Sequence, residues 1–177
     1  MDAFWSRSST LGAKQKAFSW RIDTRGNIFI KRKFRHARFP RIDKISCTHL
    51  NKLDGFMQDR EWKDLANNVA KLHRRNEKEG IGNFLYRLRP DVSYAQLSSQ
   101  LGAIFYRSGV WEWNEQKRGM QFQLLPGDWR EKTVGYYRSS LEKEHGSILG
   151  ERYPEAGEKG EGCQKAEQTR LSAFFSS

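Results

Sequence analysis

Ser93-Tyr94-Ala95-Gln96-Leu97-Ser98-Ser99-Gln100-Leu101-Gly102-Ala103-Ile104-Phe105-Tyr106-Arg107-Ser108-Gly109 runs directly into Val110-Trp111-Glu112-Trp113-Asn114 and, after a basic turn, Met120-Gln121-Phe122-Gln123-Leu124. Leu97, Leu101, Ile104 and Phe105 recur at three and four, the period of one helix face, with Ser93 as a cap at the start. Gly109 stands where a helix needs a left-handed residue to end. The two following runs alternate at period two around Glu115-Gln116-Lys117-Arg118-Gly119, which predicts a hairpin with a basic tip.

Upstream of this block the spacing predicts more helix. Ile45, His49, Leu50, Leu53, Phe56 and Met57 give a first helix from about residue 42. A second, capped by Asp59, carries Trp62, Leu65, Ala66, Val69 and Leu72. A short third, with Ile81, Phe84, Leu85 and Leu88, stops before Pro90. Three helices followed by a two-stranded hairpin with a basic tip resemble a winged helix-turn-helix. That resemblance implies that 93–108 is a recognition helix and 115–119 a wing. It would turn Tyr94, Gln96, Ser99, Gln100, Ala103 and Arg107 outward, with Lys117 and Arg118 on the wing.

Toward the N-terminus, Phe18-Ser19-Trp20-Arg21-Ile22 alternates, Asn27-Ile28-Phe29-Ile30-Lys31 is rich in strand formers, and Asp23-Thr24-Arg25-Gly26 supplies a turn. A β-hairpin over about 17–33 is expected. Its exit is a basic run, Lys31, Arg32, Lys33, Arg35, Arg38 and Arg41, interleaved with Phe34 and Phe39. Cations at that density neutralise phosphates, and the rings are of the kind that stack on bases. Residues 1–16 read as a loose lead-in, with Phe4 and Trp5 available to pack or stack. Past Pro126-Gly127-Asp128, the residues Trp129, Val134, Tyr136, Tyr137 and Leu141 predict one more helix or an ordered arm.

The expected class is therefore α+β. The expected division is 1–16 as a lead, 17–41 as hairpin and basic segment, 42–141 as the winged-helix-like domain, 142–166 as a glycine-rich, charged flexible linker, and 167–177 as a terminal peptide. In that peptide Gln168, Leu171, Phe174 and Phe175 occur at i, i+3, i+6 and i+7. In one helical turn Leu171, Phe174 and Phe175 form an apolar plug, with Gln168 as a polar anchor. The stretch resembles the PCNA-interacting peptide, or PIP box, of proteins that ride on the sliding clamp. That resemblance implies PCNA as a partner and an archaeal, eukaryotic or viral source.

Charge agrees with a polyanionic partner: the net formal charge is +11 over 177 residues, with a pI near 9.8. The basic residues concentrate in the first 60 positions, whereas glutamates outnumber bases in the tail. Cys47 and Cys163 form neither a metal-ligand spacing nor a disulfide framework, and no secretory leader or spanning apolar run is read. An intracellular protein is expected, in the nucleoid region if archaeal or the nucleus if eukaryotic. His36, His49, His73 and His145 lack ligand spacing, and Gly80-Ile81-Gly82 lacks the Lys-Ser/Thr of a phosphate loop. No cofactor and no catalysis are expected. The functional expectation is a DNA-associated factor docked on the clamp. The rivals are a winged-helix transcription regulator, a clamp-tethered nuclease built on carboxylates such as Asp54, Asp59, Glu61 and Asp64, and a clamp inhibitor that never touches DNA.

Overall fold

The computed structural model describes residues 4–34 and 37–146. Over them the chain is mixed α+β, an antiparallel four-stranded sheet followed by helices and a small second sheet. The first sheet has the order β1 (Ser6–Ser9), β2 (Ala17–Ile22), β3 (Ile28–Arg32), β4 (Arg41–Ile45). The expected hairpin is its centre. Asp23 Oδ1 accepts from the backbone N–H of Arg25 at 3.0 Å and of Asn27 at 2.8 Å, and Gly26 takes φ +80°, so the turn forms as its residues dictate.

Two strands were not expected. Ser6–Ser9 falls in the supposed loose lead, yet it pairs with β2 in the register Arg7↔Ser19. Arg41–Ile45 falls where the basic run was to pass into a helix, yet it pairs with β3, Lys31 opposite Ile42 and Phe29 opposite Lys44. Period two places Phe18, Trp20, Ile22, Ile28, Ile30 and Ile45 on the inner face, all buried. The same face carries Asp43, which accepts from Arg32 Nη2 and from Arg41 Nε, each at 2.7 Å.

The helices follow as α1 (Cys47–Phe56), α2 (Val69–His73), α3 (Ile81–Leu88), α4 (Val92–Ala95), α5 (Ser98–Arg107) and α6 (Trp129–His145). Ser46 caps α1, its side chain accepting from His49 N, so that helix begins after the last strand and not at residue 42. The expected second helix is largely absent: 63–64 is a strand, β5 (Lys63–Asp64), and Trp62 is 41% exposed. Asp59 caps nothing helical; its carboxylate takes the Glu61 N–H and the Lys63 ammonium. The 93–108 helix is two pieces, α4 and α5, and the cap on the first is Asp91, not Ser93. Gly109 ends α5 as expected, at φ +71° with Val110 N reaching back to Phe105 O at 2.9 Å.

The second hairpin pairs β6 (Trp111–Trp113) with β7 (Gln121–Leu124), and β5 adds on the other side of β7, giving the order β5-β7-β6. Phe105 meets Trp111 edge to face at 4.8 Å and Trp129 at 6.0 Å, and Trp111 meets Phe122 at 5.6 Å. Gly102 lets the hairpin approach, since a Cβ there would lie 2.7 Å from Phe122 Cζ. Helix α6 starts on the Asp128 cap and crosses behind the first sheet, where Tyr136 stacks on Trp20, Tyr137 meets the same ring at a tilt, and Tyr137 Oη donates to Phe4 O at 2.6 Å. It runs to His145, so the segment expected to be linker from 142 is helical in its first turn. One hydrophobic core thus joins the first sheet to all that follows.

Candidate functional site

With one face of the four-stranded sheet sealed on the core, the other is open, and its composition is unusual. The outward positions in register are Arg7, Ser19, Lys31 and Ile42 in one row, and Arg21, Phe29 and Lys44 in the next, with Trp5 leading into β1 beside Arg21. Ile42 is 54% exposed, an aliphatic side chain offered to solvent from the middle of an edge strand. The Arg21 guanidinium lies 4.0 Å from the Phe29 ring centroid and 5.4 Å from that of Trp5. The ammonium of Lys31 is 5.3 Å from Trp5, and that of Lys44 is 5.9 Å from Phe29.

No carboxylate stands among these outward strand positions. Between residues 4 and 46 the only acids are Asp23, in the turn, and Asp43, on the inner face. Glu144 of α6 reaches the outer edge of β1, where it accepts from Ser6 Oγ and from the Arg7 N–H. Arg7, Arg21, Lys31 and Lys44 form no ion pair among the described residues. Three cations beside flat rings, Arg21, Lys31 and Lys44, with Arg7 in the next strand, make a surface of positive potential of the kind that stacks on bases and attracts polyanions.

The basic run splits across this frame. Lys31 faces outward on the sheet, while Arg32 turns inward, 8% exposed, into its ion pair with Asp43, and also donates to Ser93 O at 3.4 Å. Lys33 is exposed, Arg38 is exposed over the Phe39 ring, and Arg35 lies outside the described residues. Arg41 is spent on Asp43, with Asp91 4.0 Å away. The run is therefore not one continuous phosphate track. The sheet residues Trp5, Arg7, Arg21, Phe29 and Lys44 take its place. Part of their signal was readable as a cation and an aromatic two residues apart, in Trp5-x-Arg7 and Phe29-x-Lys31; Arg21 and Lys44 carry no such partner in Ser19-x-Arg21 and Ile42-x-Lys44.

The proposed recognition face on 93–108 is not outward. Tyr94 and Ala103 are buried, Gln100 is 8% exposed, and Arg107 Nη1 is bound to Ser8 Oγ at 2.9 Å and Ser9 O at 2.6 Å. The β1 edge meets the end of that face at Arg107, and with Tyr94, Gln100 and Ala103 buried the face presents no continuous outward row of side chains. Gln96 and Gln100, with Ser99, instead line a cleft of about 720 Å³ whose other walls are the β1–β2 loop, the end of β3 and β7. Lys117 and Arg118 do sit on the exposed hairpin tip, which Asn114 braces through Gly119 O and Gln121 N.

His49 and Tyr94 form a hydrogen-bonded pair in which both groups are shifted toward their neutral forms. Burial, aided by Lys52 and Arg89, lowers the His49 pKa, and burial pushes Tyr94 up to about 12; Nδ1 and the hydroxyl are 2.7 Å apart. Among the described residues no three His, Cys, Asp or Glu side chains gather where they would hold a metal. No helix among them is long and apolar enough to cross a membrane. Gln168, Leu171, Phe174 and Phe175 lie outside the described residues. Comparison with protein families, with characterised proteins and with solved structures finds no match to this chain.

Proposed function

We propose that the chain is a DNA-associated factor that holds single-stranded nucleic acid on the open face of its N-terminal sheet and docks on the PCNA sliding clamp through its C-terminal peptide. The observation that carries the first part is the outer sheet face, where Phe29, Trp5 and Ile42 are interleaved with four unopposed cations. Bases stack on aromatic rings and on guanidinium planes only when they are unpaired, so such a face favours single strands over duplex. Residues 47–124 run α1, β5, α2, α3, α4, α5 and the second hairpin, where three helices and a hairpin were expected. We read them as a scaffold that seals the sheet, because much of the would-be reading helix is buried.

The test is binding of a labelled single strand of about twenty nucleotides across a salt series. Phe29→Ala should weaken binding by about 1–3 kcal/mol, and the same sequence as duplex should bind less tightly. Salt-independent binding, or an unchanged Phe29→Ala variant, would remove the sheet-face reading.

The second part is carried by Gln168, Leu171, Phe174 and Phe175. Calorimetric titration into PCNA should give micromolar binding that vanishes in Phe174→Ala/Phe175→Ala, since a short peptide loses much of its burial energy to ordering. With strand and clamp both engaged, the second contact becomes intramolecular and avidity rises by about 10²–10⁴. Retention of full clamp affinity by the double variant would dismiss the peptide.

A further inference from the structure

The cleft of about 720 Å³ beside helix α5 carries charge of one sign. Lys14 and Lys16 of the β1–β2 loop and Lys33 at the end of β3 line it, all three exposed, and none of the lining residues is acidic. The three lysines form no ion pair among the described residues. Arg32, the remaining cation of the lining, is buried and committed to Asp43. Leu65, Met120 and Phe122 supply apolar wall. Charges of one sign over low-dielectric walls focus the field into a cleft, and the ligand that such a place favours here is an anion.

The loop that carries two of the lysines is held in shape. Thr10 N donates to Lys16 O and Lys16 N donates to Thr10 Oγ1, each at 3.0 Å, while Gln15 N reaches Gly12 O at 3.0 Å. Lys14 and Lys16 are therefore presented from a closed loop, so less ordering is charged to binding.

The cleft also lies in line with the open sheet face. Lys33 follows β3 by one residue and keeps the parity of Phe29 and Lys31. Alternate residues of one strand step by about 7 Å, so Phe29, Lys31 and Lys33 form a single file that ends at the cleft. Phe34, 42% exposed, adds a ring to the lining next to Lys33.

We infer that a single strand held on the sheet face runs along β3, passes over this end of the sheet and sets its next phosphates in the cleft on Lys33, Lys16 and Lys14. Lysine ammoniums offer donors alone and a phosphodiester offers acceptors alone, so the cleft adds affinity and length of contact without reading bases. The inference rests on the single-strand reading of the sheet, to which it adds a path and a second set of phosphate contacts.

The experiment compares the full chain with Lys14→Ala/Lys16→Ala/Lys33→Ala in binding poly(dT). It reads the number of nucleotides occupied per protein and the salt dependence of the affinity. The three residues are exposed, so the variant should keep the wild-type melting temperature. It should occupy a shorter stretch, and its slope of log K against log salt should fall by about 2, at about 0.7 for each phosphate contact on single strands. Lys71→Ala/Arg74→Ala, which removes two exposed cations that line no part of the cleft, should leave both readings unchanged. An unchanged stretch in the triple variant, or the same loss per charge in the α2 variant, overturns the path even where Phe29→Ala shows that the sheet holds the strand. Tripolyphosphate bound as tightly as the oligonucleotide would make free polyphosphate the ligand and overturn the path as well. Wild-type binding by Phe29→Ala beside a weakened triple variant removes the sheet reading and the path with it, and leaves the cleft a phosphate site by itself.

Discussion

The two halves of this chain differ in where their carboxylates stand. In the helix-and-hairpin half acids are interspersed among the bases and pair some of them: Lys63 with Asp59 and Glu61, Lys78 with Asp64 at 2.8 Å, Arg87 with Glu79 at 3.5 Å, Arg89 with Asp91 at 3.3 Å. In the sheet half, Asp43 answers Arg32 and Arg41 on the inner face, and the outer face is left unopposed. Solvent-exposed ion pairs contribute little to stability, so the contrast says little about what holds the fold together. What it separates is a half with carboxylates among its cations from a sheet face whose outward strand positions carry none.

Breaking the contrast at its root has the largest expected effect. Asp43→Ala leaves Arg32 charged, buried and unanswered, with Ser93 O as its remaining partner. Losing one partner of a buried pair costs about 3–5 kcal/mol, measurable as a lowered denaturation midpoint. A loss within the range of an exposed pair would mean that water reaches Arg32, and the sheet's inner and outer charges would then differ less than their burial indicates.

Next comes the joint that makes the helical half a scaffold. Gly102→Ala places a methyl 2.7 Å from Phe122 Cζ, at the contact that sets the second hairpin on α5. Overpacking of that kind costs about 1–3 kcal/mol. Gly135→Ala, exposed in α6 with no neighbour within 4 Å of the new methyl, should instead gain about 0.5–1 kcal/mol. Thermal melts of the two variants should move in opposite directions. Parallel shifts would mean that the hairpin does not depend on that approach.

Much of the framework is written locally, and what escaped a reading of the sequence depended on partners far along the chain. The central hairpin, α3, the end of α5 and the second hairpin follow from period, turn residues and caps within ten positions of one another. Strand β4 inverts the usual pattern, with Ile42 outward and Asp43 inward, and only the ion pair to Arg32 explains it. Strand β1 is serine-rich; what holds it is Glu144 and Arg107, about a hundred residues or more away. The same β1 edge meets Arg107 at the end of the helix face that the sequence alone turns outward. The basic run is continuous in sequence over 31–41, whereas the outward cations of the sheet come together from four strands.

A direct sharpening of the contrast compares one cation from each half. Lys31→Ala removes an unopposed charge from the sheet face, and Lys78→Ala removes one already paired with Asp64. In single-strand binding, Lys31→Ala should lower affinity at low salt and reduce the slope of log K against log salt by about 0.7, the share of one phosphate contact on single strands. Lys78→Ala should leave both unchanged. Equal losses would show that binding follows overall charge, and the sheet would lose its claim to be the site.

The smallest expected effect lies at the seam, where His49 of α1 meets Tyr94 of α4. Burial first, then Lys52 and Arg89, hold the folded His49 pKa below its ordinary 6.5. Nδ1 of the ring and the Tyr94 hydroxyl share a hydrogen bond whose direction follows the imidazole tautomer, and Tyr94, pushed up to about 12, keeps its proton across the whole accessible range. Below about pH 6.5 the unfolded chain takes up a proton that the folded chain refuses, so stability rises with pH across this window. The contribution of this pair is complete above pH 6.5 and is lost progressively as pH falls from there to the folded value, below which it levels off. His49→Asn has nothing to titrate, so the difference between its melting temperatures at pH 7.5 and pH 5 should be smaller than the wild-type difference. An identical acid limb in the two proteins would mean that His49 protonates freely in the fold and that water reaches the seam beside the Tyr94 hydroxyl.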